Sequence, residues 1–176
     1  MKNESSKRAV RLKRVFLTAA VLATVAFIFR NSMYTAQVSG AASQGVLSAI
    51  RDFLTQMGLD AVIDAISELL IRKAGHFLEY ALLGFWTALC LRSYTQSQMR
   101  DAGWAFSFVL LTALSDETIQ LFVEGRSGMV PDIWIDFAGA AAGMLAGTAA
   151  MLLHARKQKG QSKRNKPEGK HETGND

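Results

Sequence analysis

Hydrophobic and polar positions fall into blocks along this chain. Residues 15–29 hold no charge and are bounded by Lys13 and Arg14 on one side and Arg30 on the other. At 1.5 Å per residue that run covers roughly 22 Å, so a crossing needs Leu12 or the weakly polar residues after Arg30, with the arginines snorkelling. Blocks 74–91 and 103–123 reach spanning length once a few ionisable residues are tolerated. Block 133–153 holds a single charge, Asp136, and is rich in Gly and Ala, the mark of a helix closely packed by others. The pattern predicts an all-α membrane protein with four transmembrane helices.

Residues 45–70 behave differently. Val46, Ile50, Phe53, Leu54 and Met57 repeat at helical spacing, Val62, Ile63, Ile66, Leu69 and Leu70 do so again, and Gly58 divides them. Arg51, Asp52, Asp60, Asp64 and Glu68 take other faces. Two amphipathic helices are expected between the first and second spans, lying on the outer leaflet or packing over the bundle, as an interfacial anchor or as a lid.

Composition agrees with the blocks. A chain of 176 residues fits one domain, and 49% hydrophobic residues with 20% charged and two prolines exclude a disordered or collagen-like polypeptide. The lone Cys90 forms neither an intrachain disulfide nor a cysteine metal site. Fifteen of the twenty lysines and arginines fall in residues 1–14, in the 92–100 loop and after His154, while Arg30, Arg51, Arg72, Lys73 and Arg126 lie in the other two connections. The positive-inside rule then puts both termini in the cytoplasm of a multi-pass protein of the cell membrane. The expected organisation is a basic cytoplasmic start over 1–14, a membrane domain over 15–153 and a basic, disordered cytoplasmic tail over 154–176. A basic start before an apolar run is also how a secretory leader is laid out, but no A-x-A site follows promptly. The tail lacks the interleaved aromatics of a nucleic-acid binder, so a solvated, headgroup-facing tail is expected and no nucleic-acid partner.

Ionisable residues inside a span are costly, face the bundle interior and are functional candidates by default. In this orientation His76 and Glu79 lie near the outer end of the second span, and Asp116, Glu117 and Gln120 near the outer end of the third. Arg126 follows in the short outer connection, and Asp132 and Asp136 open the fourth. Arg72, His76, Glu79 and Tyr80 share one helical stripe, and Asp116, Gln120 and Glu124 another. Asp132, Asp136, Gly139, Gly143 and Gly147 lie along one side of the fourth helix, whose small-residue spacing would turn both aspartates inward.

The run Arg72-Lys73-Ala74-Gly75-His76-Phe77-Leu78-Glu79-Tyr80, then Ser115-Asp116-Glu117-Thr118-Ile119-Gln120, then Gly125-Arg126-Ser127, then Asp132 through Asp136 to Gly139 and Gly143, resembles the VanZ-like family over residues 72–147. Residues 29–39 are similar to that family's polar stretch after its first helix. One departure is Asp136, where the family often has Asn. The resemblance implies a small bacterial membrane protein of a family whose founding member is associated with resistance to the glycopeptide teicoplanin, and it marks His76, Glu79, Asp116, Glu117, Gln120, Arg126 and Asp132 as motif residues without a proven role.

Three readings of the cluster stand side by side. Arg72, Lys73 and Arg126 could pair with Glu79, Asp116, Glu117 and Asp132 as a purely structural ion-pair network holding three helices in register. Alternatively, Lys73, His76, Glu79, Tyr80, Asp116, Glu117, Gln120, Arg126, Asp132 and Asp136 line an outward-facing site for a membrane lipid or a lipid-linked cell-wall intermediate, the cations holding phosphate or carboxylate and the acids holding amide or ammonium groups. Third, the cluster is an enzyme's, with His76, Glu79 and Asp116 as catalytic candidates, or His76 as a metal ligand beside Glu79, Asp116, Asp132 or Asp136. Binding without a cofactor or metal is the favoured reading. Ser115 and Ser127 lack a nucleophile's surroundings, Cys90 lies far from the cluster, and Trp104 and Trp134 are placed as interfacial aromatics.

Overall fold

The computed structural model describes residues 2–59, 63, 65–95 and 98–164, and these form helices with no strand among them. In chain order the helices are α1 (Lys2–Ser32), α2 (Ala36–Gln56), α3 (Glu68–Tyr94), α4 (Gln98–Leu121) and α5 (Val130–Arg164). Local signals set the boundaries of the middle pair. Thr35 caps α2 by accepting from the Val38 amide, and Ser67 caps α3 by accepting from the Leu70 amide. Gly58, at φ 70°, turns the chain after α2 in a conformation that costs a side-chain-bearing residue more.

Three stretches, Glu4–Ser32, Glu68–Tyr94 and Val130–Gln158, are long and apolar enough to cross a membrane. The expected third span, α4, is not among them. Its 24 residues reach about 36 Å, but Asp116, Glu117 and Gln120 interrupt the apolar run in its last turns. Large apolar side chains point away from the bundle on all four long helices, among them Leu22, Leu78, Leu111 and Leu145. A soluble monomer rarely presents so much outward apolar surface, which together with the three apolar helices is the pattern of a membrane protein.

Contacts fix the helix directions. Arg14 Nε donates to the Ser93 carbonyl at 2.9 Å, and Asn31 Nδ2 donates to Glu79 Oε1 at 2.7 Å, so α1 runs antiparallel to α3. Gly139, Gly143 and Gly147 of α5 face the backbone of Phe77, Ala81 and Phe85 in turn, so α5 runs parallel to α3. Gly84 of α3 faces the Ala140 backbone from the other side of the same seam. This close approach is the one expected from the glycine stripe of the last helix. α4 fills the remaining side, its Ala105, Val109 and Ala113 buried with Tyr80, Leu83, Ala140 and Met144. The start of α1 and the end of α5 therefore lie at one end of the bundle, and the polar cluster lies at the other.

The amphipathic segment differs from expectation. α2 starts at Ala36, ahead of the expected residue 45, and packs by Gly40, Ser43 and Leu47 over the start of α3. The apolar residues Val46, Phe53 and Met57 face outward, as an interfacial helix requires. Of the second amphipathic segment, Leu69 and Leu70 belong to the first turn of α3, Ile63 is helical, and Asp60, Val62 and Asp64 lie outside the described residues. At the other end α5 stays helical to Arg164, well into the segment expected as a disordered tail, and residues 165–176 lie outside the described set.

Candidate functional site

Four elements converge at the end of the bundle away from the start of α1 and the end of α5. α3 brings Lys73, His76, Glu79 and Tyr80. α4 brings Asp116, Glu117 and Gln120, the connection to α5 brings Arg126, and α5 brings Asp132 and Asp136. Asp116 and Asp136 are both 0% exposed, and Glu117 and Gln120 are buried beside them.

His76 stands at the centre. Its Nδ1 lies 3.5 Å from Asp136 Oδ1 and 3.9 Å from Asp116 Oδ2, while its Nε2 lies 3.5 Å from Arg126 Nη2. Asp116 is otherwise held by neutral donors, the Ser32 hydroxyl and the Gln120 amide, the latter at 3.2 Å. Glu117 accepts from the Met129 amide at 2.7 Å and from Gln120 at 3.4 Å, so it turns inward and fastens the α4–α5 connection. Asp136 differs from all of these. Neither of its carboxylate oxygens accepts a hydrogen bond among the described residues, and His76 Nδ1 is likewise without one.

The expected ion-pair network forms only in part. Lys73 Nζ meets Asp132 Oδ1 at 3.0 Å, but Arg72 pairs within its own helix, with Glu68 at 2.9 Å. Glu79 is held by Asn31, a neutral side chain. Arg126 donates to Gln120 Oε1 at 3.3 Å, and among the described residues no carboxylate lies within 4.0 Å of its guanidinium. Burial lowers the Arg126 pKa from its ordinary value and the nearby Arg72 cation acts the same way, opposed by Asp116, Glu117 and Glu79. Glu124 does not extend the Asp116–Gln120 stripe, because α4 ends at Leu121 and Gly125, at φ 72°, turns the chain just after it.

A cavity of about 280 Å³ opens above the cluster, walled by Arg72, Lys73, His76, Gln120, Arg126 and Asp132. Three cationic side chains on its wall suit an anionic group, and Ser127 also borders it. Tyr80 lies outside this wall, fully buried with its hydroxyl unpartnered among the described residues. Asp116, Glu117 and Asp136 are buried and not on the wall either, and the half-buried Glu79 is also off it, so five of the ten candidate residues line the cavity and five do not. Two residues that hold acids off the wall, Asn31 and Ser32, were not singled out as site residues. Their only signal was the similarity of 29–39 to the family's polar stretch.

Of the others, Ser115 donates to the Leu111 carbonyl within its own helix and Cys90 meets Thr18 at 3.6 Å, both away from the cavity. Trp104 and Trp134 are 66% and 69% exposed on opposite halves of the bundle.

No curated protein and no solved structure matches the chain. A family model described as VanZ/LLP1 matches residues 16–152, which takes in the start of the membrane region, every candidate residue and the glycine seam. The all-helical bundle, the motif residues gathered at one end and this match lead to one assignment: the chain belongs to the VanZ/LLP1 family.

Proposed function

We propose that this chain is a four-span protein of the bacterial cell membrane, with both termini in the cytoplasm, that binds the anionic part of a lipid-linked cell-wall component in its outward-facing cavity and so acts in glycopeptide resistance of the teicoplanin type. The observation that carries the reading is Arg126, a half-buried guanidinium on the cavity wall with no carboxylate partner among the described residues. A desolvated cation without a counter-charge is costly, and a phosphate or carboxylate supplies the missing partner through bidentate hydrogen bonds.

Two further features support the topology. α3 and α5 run parallel, so the chain must return between them, and α4, antiparallel to both, makes that return as the fourth crossing. The start of α1 and the end of α5 share one end of the bundle, and the segments flanking that end carry most of the lysines and arginines in the sequence, as a cytoplasmic face does. α2 anchors at the outer surface and ties the Ala36 amide to the Glu124 carbonyl at the cavity mouth.

The test is binding of a polyprenyl diphosphate to the full chain in nanodiscs, with EDTA present, beside susceptibility to teicoplanin in a host lacking the protein. Arg126→Ala at matched membrane levels is expected to weaken binding at least tenfold, in line with loss of a charge-assisted pair worth roughly 2–5 kcal/mol, and to reduce protection. Unchanged binding by Arg126→Ala would sink the reading. Binding with no protection, even from wild type, would separate this chain from resistance and leave the lipid site.

A further inference from the structure

Beside the cavity lies a second arrangement that the anion reading does not use. His76 Nδ1, Asp116 and Asp136 each offer one ligand atom, and these atoms all lie within 4.8 Å of one another. Two ligands of a first-row ion, each bound at about 2.1 Å, sit roughly 3.0 Å apart at a right angle and 3.4 Å apart at a tetrahedral angle. The 3.5 Å separation of His76 from Asp136 is nearly there, and the 3.9 Å separation from Asp116 needs a shift of a few tenths of an ångström.

Proximity of acids alone would mean little. The independent observation is Asp136, 0% exposed, whose carboxylate oxygens accept no hydrogen bond among the described residues and whose one charged neighbour there is His76 Nδ1, 3.5 Å from Oδ1 and itself without a hydrogen bond. Buried carboxylates in proteins are almost always paired, and leaving one bare in a membrane bundle is costly. Charge makes the same point. Two carboxylates face one imidazole, so a protonated His76 would still leave one negative charge, whereas a neutral His76 with a divalent cation balances both.

We propose that His76 Nδ1, Asp116 and Asp136 bind one divalent first-row metal ion, Zn²⁺ or Mn²⁺, with its remaining coordination positions toward the cavity. One nitrogen and two oxygen donors suit such ions, whereas Mg²⁺ and Ca²⁺ prefer six or more oxygens. Ser32 and Gln120, both bonded to Asp116, are the positioning residues that orient that ligand. With Nδ1 on the metal, Nε2 carries the ring hydrogen and ceases to accept from Arg126, which leaves that guanidinium free to turn to the cavity.

The site goes beyond the anion reading and is tested apart from it. Full-length protein in detergent, stripped with EDTA and free of lipid, is titrated with ZnCl₂ and MnCl₂ by calorimetry, and electron spin-echo modulation is recorded on bound Mn²⁺. One equivalent per chain with Kd below about 10 µM and modulation from one imidazole nitrogen is expected. Asp136→Asn is expected to weaken binding at least a hundredfold and Ser32→Ala about tenfold, with Cys90→Ser, away from the cavity beside Thr18, within threefold of wild type. No stoichiometric uptake by folded wild type, uptake without a nitrogen ligand, or preference for MgCl₂ over ZnCl₂ each overturns the proposal. The wild-type measurements decide it even where Asp136→Asn fails to fold. Lipid binding that persists in EDTA leaves the anion reading intact whatever the metal result.

Discussion

The seam between α3 and α5 sets the spacing of the whole site, and it yields a prediction whose sign reverses between two glycines. A Cβ at Gly143 would collide with the Ala81 carbonyl oxygen and lie 2.7 Å from its carbon and 2.9 Å from its Cα. All three atoms are backbone, so no side chain can swing away. Carbon atoms prefer about 3.5–4.0 Å and the carbonyl oxygen is closer still, so the helices must part by more than about 1 Å, and such a gap forfeits at least a quarter to a half of each contact along the seam. Overpacking of this kind costs about 1–3 kcal/mol, offset by ~0.5–1 kcal/mol from placing Ala instead of Gly in a helix. Gly143→Ala is therefore expected to destabilise by about 0.5–2 kcal/mol. Gly75 sits in α3 next to His76 with nothing within 4 Å of a Cβ, so Gly75→Ala is expected to stabilise by ~0.5–1 kcal/mol. Reversible unfolding in mixed micelles, followed by circular dichroism, measures both. Equal stability of the two variants, or Gly143→Ala above wild type, would refute the parallel seam.

Two other substitutions probe the acids off the cavity wall. Asn31→Leu strips Glu79 of its donor and is expected to cost about 1–3 kcal/mol in the same unfolding assay, whereas Asn31→Gln, which keeps an amide, should cost less; equal losses would mean that the Asn31–Glu79 bond contributes nothing. Glu117→Leu leaves the Met129 amide without its acceptor and should raise hydrogen exchange there at least tenfold, while Glu117→Gln retains a carbonyl acceptor and is expected to fall between, an order that exchange mass spectrometry checks.

The sequence carried the axial layout of the site better than its lateral pairing. Apolar block lengths and a depth of 1.5 Å per residue placed His76, Asp116, Arg126 and Asp136 at one end of the bundle, because depth depends only on the rise along each helix. The glycine stripe of α5 likewise pointed to a close neighbour, although Gly84 on the opposite helix passed unnoticed. Pairing was less legible. Arg72 had Glu68 one turn away, within reach whatever the tertiary fold, and α3 begins early enough to include both. Glu124 matched a four-residue spacing on paper, but a helix that ends at Leu121 does not project it onto the same stripe. Asn31 and Ser32 were obscured because they sit at the end of α1, where polar residues ordinarily meet water or headgroups, and only the bundle turns them onto Glu79 and Asp116. The hydropathy of α4 was depressed by the very residues that make the site.

Whether the polar cluster is a scaffold or a site depends on which charges the fold has already satisfied. A scaffold gains most when every buried charge has a partner, since an unpaired one costs several kcal/mol and a well-packed apolar side chain would serve as well. Here the pairing is uneven in a directed way. Glu79, Asp116 and Glu117 are held by neutral donors from α1, from α4 and from the backbone at Met129, and Lys73 and Asp132 satisfy each other. Among the charged side chains of the cluster, the Arg126 guanidinium on the cavity wall has no carboxylate within 4.0 Å, and Asp136 accepts no hydrogen bond and faces only His76, at 3.5 Å, which stands between the two. One is a cation and the other an anion. Bringing the two together would have removed both costs, yet they are carried on different elements, one in a loop and one in the first turns of α5. The anion proposed at Arg126 and the metal ion proposed at Asp136 together account for opposite charges held apart on either side of one imidazole, a separation for which a packing network alone gives no reason.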